Sequence, residues 1–272
     1  MPTSLWSRAS VGLVLLFGGC AFPAVWVEAD EKFEIPVAGV KELECTTMNA
    51  TIDVQASAAS AQTVSVQVRK RAGAIDEAGA REALSAIQIV KANEDGKVRL
   101  GWKWGTTKAN DWQAAVSFAV VTTPDLATKL DTSNSSVSVA RMNGPVVVST
   151  SNASVKLDRC AGDWEVTTSN GGIDASGTPS SLALRTSNGA ISAEVATKGT
   201  VNGKLRTSNG RIEARLGAET STRVKAETSN GGVVAEGDWK IHDKGRTRID
   251  ASRQGGTGTL MLDTSNGSIR IE

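Results

Sequence analysis

The sequence predicts an all-β chain: a single-stranded β-helix, or β-solenoid, of 18- to 21-residue coils behind a β-rich N-terminal cap region with one short helix. Three observations predict it. Thr-Ser-Asn recurs with its Asn at Asn134, Asn152, Asn170, Asn188, Asn209, Asn230 and Asn266, at spacings of 18, 18, 18, 21, 21 and 36, the last being two units. Apolar residues flank each Asn at fixed offsets: four before it stand Leu130, Val148, Val166, Leu184, Leu205, Ala226 and Leu262, and three after it Val137, Val155, Ile173, Ile191, Ile212, Val233 and Ile269. Gly follows five of the seven, at Gly171, Gly189, Gly210, Gly231 and Gly267. A fixed period of this size marks stacked repeats.

Each arm of the repeat alternates with period two, so each arm is a strand. The step from the Asn to the next apolar site is three, an odd number, so the chain must bend there. Asn and Gly tolerate the positive φ that such a corner calls for. Asn-Gly also fits a two-residue hairpin turn, which would give a meander, barrel or propeller. That alternative explains the Gly but not the Thr and Ser before every Asn. Stacked coils bring identical Asn side chains about 4.8 Å apart, close enough for an amide ladder. The recurring motif is therefore read as structural rather than catalytic.

The organisation follows in order. Residues 1–29 read as a signal peptide, with Arg8 before the apolar run VGLVLLF. Two processing routes compete: cleavage after Ala29, and lipidation at Cys20 in FGGC. Both place the remainder outside the cytoplasm, in the periplasm, at the cell surface or secreted, with membrane attachment only through the signal or a lipid anchor. Residues 30–125 form the cap region. FEIPV and LECTTMNATIDV read as strands, the second echoing the coil pattern around Asn49; DEAGAREALSA reads as a helix capped by Asp76; IQIVKANEDGKVRLGWKW reads as a hairpin turning at Asp95-Gly96. Residues 126–272 are the solenoid. IDAS at 249–252 reads as a degenerate coil with Arg253 in place of Asn. The 21-residue units carry extra residues near Ala196–Thr200 and Gly217–Ser221, on one edge of neighbouring coils. The chain stops inside its last coil, where Arg270 and Glu272 read as charged gatekeepers of an open edge, or that edge pairs with another chain.

The run VSFAVVTTPDLATKLDTSNSSVSVARMNGPVVVSTSNASVKL resembles the bacterial "putative adhesin" domain family, a domain of unknown function. There a strand ending near a Pro, here Pro124, leads into repeated L-x-x-x-x-G-x-I-x-V and L-x-G-x-V units. The resemblance covers most of residues 30–272. It implies an exported, non-enzymatic β-solenoid of the cell envelope, and related domains are linked to envelope-stress signalling. It brings no functional residues to carry over.

Composition narrows the function. Lys plus Arg is 30 against 29 for Asp plus Glu, a net charge of +1, which gives no general pull toward nucleic acid or anionic membrane. A lone His242 argues against a His-rich metal site or a Ser-His-Asp triad. Carboxylates are abundant, at Asp131, Asp158, Asp163, Glu165 and Asp174, but no spacing pairs an acid with a base. No catalytic, metal or cofactor residues are assigned and no cofactor is expected. Two binding candidates remain. Trp102, Trp104 and Trp112 offer either a glycan-stacking surface or packing for the cap. Arg185, Lys204, Arg206 and Arg211 offer either an anion site or a solvated mixed-charge face. Cys45 and Cys160 read as separate thiols rather than a bond. The expected function is a binding or scaffold module for an envelope polysaccharide or envelope protein. The alternatives are an accessory protein in envelope-stress sensing and a polysaccharide-active enzyme.

Overall fold

The computed structural model describes residues 11–13, 25–57 and 62–272. Most of the predicted signal peptide, Cys20 included, lies outside the described residues. The repeat folds as a solenoid in which each coil has two strand arms. Val146–Thr150 is a first arm and the start of Val155–Thr167 the second; their neighbours stack on them in parallel register, Val148 between Leu130 and Val166, and Val155 between Val137 and Ile173. The inward residues fill one continuous core, with Leu130, Val148, Val166, Leu184, Leu205 and Leu262 at 1% exposure or less.

The ladder reaches back to Asn49. Glu42–Thr46 and Ile52–Ala56 form a coil whose arms pair with Ala127–Thr132 and Val137–Ala140. On its other side stands a wider unit, Lys97–Trp104 with Gln113–Thr122. Antiparallel strands close this end: Ile87–Glu94 against Lys97–Trp104, Thr63–Ala74 against Gln113–Thr122, and Val25–Pro36 against Thr63–Ala74. The helix Glu77–Ala86 has Asp76 as N-cap, its carboxylate accepting Gly79 N–H at 2.7 Å, and buries Ala80, Ala83 and Ala86. Asp95 and Gly96 turn the hairpin with φ of 54° and 74°, the two positive values of a type I′ turn.

The other end departs from the sequence reading. The last coil, Gly258–Thr264 with Ile269–Ile271, is not at the edge. It is inserted between Asn202–Arg206 with Ile212–Leu216 and Thr220–Thr228 with Val233–Ala235. Arg270 and Glu272 are accordingly not gatekeepers. Arg215 Nε reaches Glu272 at 2.9 Å on one side, and Arg270 pairs with Glu236 on the other. The segment around IDAS is not a coil. Arg248–Arg253 runs antiparallel to Thr222–Glu227, and Lys240–Lys244 pairs outside it as the exposed edge strand of the first-arm sheet. A period of two cannot tell a parallel neighbour from an antiparallel one.

The bend is also built differently from the expectation. Neither the Thr-Ser-Asn asparagines nor the glycines after them adopt positive φ; Arg141, Arg159 and Gly177, at the far corner after the second arm, do, with φ of 59°, 51° and 145°. The glycines of the Asn corner serve close approach instead. A Cβ on Gly210 would sit 1.8 Å from the Gly189 carbonyl oxygen.

Candidate functional site

The Thr-Ser-Asn corner stacks three rows of hydrogen bonds. The buried Thr186 hydroxyl donates to the Gly171 carbonyl at 2.9 Å and accepts Gly189 N–H at 3.2 Å. Thr207, Thr228 and Thr264 repeat the pattern. A buried hydroxyl with no partner is costly, and here the fold itself supplies both partners. The Ser169 carbonyl accepts two N–H groups, from Ser187 and Asn188. The Asn side chains form the third row, in the spatial order Asn49, Asn134, Asn152, Asn170, Asn188, Asn209, Asn266, Asn230, each Nδ2 donating to the preceding Oδ1 at 2.6–2.7 Å. The Asn and most of the Ser side chains are exposed, so the corner presents a ruled ridge of amides and hydroxyls.

Beside this ridge runs a trough of about 590 Å³, on the outer face of the second arms. Ser136, Ser154, Gly172 and Ala190 stand at one outward position of four successive coils, and Arg211 takes that position in the fifth. The next outward column adds Ser138, Lys156, Asp174, Ser192 and Glu213. Sequence reading missed the trough because its signal is only a column of small side chains among outward positions. A smaller groove near Asp243, Asp250 and Asp263 has those three carboxylates paired; the Arg223 guanidinium, gripping Asp250 through two nitrogens at 2.7 Å, holds that carboxyl below its ordinary value.

The predicted candidates fall as follows. Trp102 and Trp104 share the inward side of their strand with Val98 and Leu100. Trp104 packs edge-on to Trp102 and tilted against Trp112, both with ring centroids 5.6 Å apart, and Trp112 is buried. The three rings face one another across the end of the core, the packing arrangement rather than an open sugar platform. Arg185 and Arg206 are partners in register on adjacent strands. Lys204 lies on the same face and reaches Asp263 at 3.0 Å. Arg211 lies beyond the Asn row, at the trough. Cys45 and Cys160 are buried, unbonded thiols, and burial pushes both above their ordinary range. His242 Nε2 lies 2.8 Å from Ser252 Oγ. This pair ties the edge hairpin together. Among the described residues no group of His, Cys, Asp and Glu is placed to hold a metal ion, and no helix is long and apolar enough to cross a membrane.

A parallel solenoid with one laddered Asn corner and a trough along its axis defines a repeat protein whose exposed faces are outward columns of side chains. The Toastrack family model (DUF4097) matches residues 108–272, which is 165 of 272 residues, and the chain belongs to that family, a domain of unknown function. Comparison with curated proteins finds no match. Solved structures similar to the chain include a "putative cell adhesion protein" from Clostridium sporogenes (11% identity, covering 90% of this chain and 98% of that one, TM-score 0.34). Others are a "putative adhesin" from Bacteroides fragilis (11%, 89% and 97%, TM-score 0.42) and a "putative lipid binding protein" from Parabacteroides distasonis (13%, 89% and 96%, TM-score 0.36). No enzyme family is indicated among these matches.

Proposed function

We propose that this protein is an exported, non-enzymatic binding or scaffold module of the bacterial cell envelope or surface, which holds an extended polysaccharide along the solenoid axis. The observation that carries the reading is the trough beside the exposed Ser–Asn ridge. The ridge along its side repeats with every coil, so it offers the same hydroxyl and amide groups at each step of a chain lying across the strands, while the floor varies from Ser to Gly, Ala and Arg. Rigid stacking fixes those groups in advance, which limits the ordering cost of binding. A glycan array probed with the protein and with Ser154→Trp, which fills the middle of the trough, tests it. The protein should retain a glycan intact, and the variant should bind roughly tenfold more weakly or worse. Undiminished binding by the variant, or a blank array with folded protein, overturns it. In the second case, recovery of a cross-linked envelope protein would favour the regulatory alternative.

The processing route belongs to the same proposal. Val25–Pro36 pairs residue for residue with Thr63–Ala74. Val27 is buried, the Arg71 guanidinium lies 5.3 Å from the Trp26 ring centre, and Arg71 reaches Glu28 at 2.8 Å. Cleavage after Ala29 would strip five residues from this strand and leave Lys70–Ala74 unpaired on that side. Of the two routes, these contacts support lipidation and cleavage at Cys20, which keeps Val25–Ala29. Mass spectrometry of the mature chain should find an acylated Cys20 at its N terminus; an N terminus at Asp30 would refute this.

A further inference from the structure

Most guanidinium groups on the strand arms end on a carboxylate. Arg99 reaches Glu44, Arg215 reaches Glu272, Arg223 reaches Asp250 and Arg270 reaches Glu236. Arg185 and Arg206 break the pattern: among the described residues neither has a carboxylate oxygen within 4.0 Å. They point outward from adjacent parallel strands, directly in register, so their backbones stand about 4.8 Å apart. Like charges placed opposite one another across a strand pair repel. A carboxylate that could relieve them is at hand. Asp263 is the register partner of Arg206 on the next strand, yet its Oδ2 takes Lys204 Nζ at 3.0 Å instead. Ser187 and Ser208 follow on the same outward face of the same two coils, both exposed.

We infer that Arg185 and Arg206, with the hydroxyls of Ser187 and Ser208, form an oxyanion site for the carboxylate or sulfate groups of an anionic polysaccharide. Two guanidinium forks side by side match a planar or tetrahedral oxyanion and cancel the repulsion between them. The site is narrow. Asp263 borders it on one strand, Glu165 lies diagonally across on the other side, and the chain as a whole carries +1. That setting suits separate anionic groups pendant on a polymer and disfavours a broad anionic membrane surface. The polymer is favoured over a free ion because the hydroxyl and amide rows of the corner adjoin the site, and Arg211 waits on the far side of the same corner as Arg206. The inference names a ligand chemistry within the envelope-binding reading above, and its test is separable from that of the trough.

The experiment immobilises the mature protein and titrates polygalacturonate, dextran sulfate, neutral dextran and phosphatidylglycerol vesicles. Arg185→Ala with Arg206→Ala is compared with Lys32→Ala with Lys240→Ala, which removes the same charge elsewhere, and with Ser154→Trp. Binding to at least one polyanion and not to neutral dextran is expected, with a roughly ten- to hundredfold loss in the arginine variant, none in the lysine variant, and a shallower salt dependence. Equal loss in the arginine and lysine variants, no polyanion binding by folded protein, or preference for vesicles overturns the site. Polyanion binding lost with the arginines but kept in Ser154→Trp supports this site and counts against the trough.

Discussion

A chain ended after Thr257 is expected to lose the ordered structure of residues 202–253 while keeping the coils before it. The removed coil buries Leu260, Leu262, Ile269 and Ile271 at 1% exposure or less. Each is worth about 1.5–3 kcal/mol of transfer free energy, so about 6–12 kcal/mol leaves with them. Total stabilities of roughly 5–15 kcal/mol make that loss decisive for the local unit. The damage spreads because the coil is internal: Thr222–Thr228 and Gly203–Arg206 both lose a parallel neighbour, Lys204 and Glu236 lose their partners, and Arg215 is left with Glu213 alone. The earlier coils contact only their neighbours and should persist, as in other repeat arrays. Hydrogen exchange followed by mass spectrometry reads this directly. Fast exchange across 202–253 beside protected 127–195 is the expected result. Full protection of 222–235 would mean that this coil restacks directly on 202–216, and that the inserted coil is dispensable.

Gly267→Ala should be among the most damaging single methyl additions in the protein. Its Cβ would fall 1.8 Å from the Gly210 carbonyl oxygen, 2.5 Å from the Gly210 carbonyl carbon and 3.0 Å from the Arg211 nitrogen. All three atoms are backbone of the neighbouring coil, so no flexible side chain can move away. Overpacking costs about 1–3 kcal/mol, and the top of that range corresponds to a fall in melting temperature of roughly 6–12 °C for a chain of this size. Ser268→Ala, one residue on and exposed, should change little. Matching melting curves for the two variants would show that this corner tolerates a Cβ, as the earlier coil does with the buried Ala153 at the equivalent position.

The coil, its period and the Asn ladder were legible because each is a local pattern repeated without change. The order of the coils was not. Residues 258–271 carry the same alternation and the same Thr-Ser-Asn as every other unit, so nothing in them says which two coils they lie between. The spacing of 36 between Asn230 and Asn266 suggested two units with one degenerate coil; it is the length of an antiparallel hairpin and the return into the stack. The glycines were noticed for the wrong physical cause, since a left-handed corner and a close backbone approach call for the same residue. The oxyanion candidates were visible as a column, with Arg185 beside Arg206. Their lack of partners was not, because it depends on Asp263 turning to Lys204. The tryptophans show the limit of face-counting: two apart means one face, and only the packing tells that this face is inward.

The Asn corner carries one more property. Three of its hydrogen-bond rows run the same way, while the Thr main-chain N–H groups donate the other way, Thr186 to Arg206 and Thr207 to Asp263. From Asn134 to Asn230, the Ser and Asn main-chain N–H, the side-chain amide and the Thr hydroxyl each donate toward the coil on the Asn49 side. Strand arms alternate their bonds and cancel, but this column adds them, as an α-helix adds its peptide dipoles. The ridge is therefore electrically polar, positive at Met48–Asn49 and negative at Ser229–Asn230. The turn carrying Lys244, Arg246 and Arg248 docks at the negative end, where Thr247 and Arg246 carbonyls accept Thr228 and Val233 N–H. Cations at that end stand where lysines and arginines stand at the C terminus of a helix.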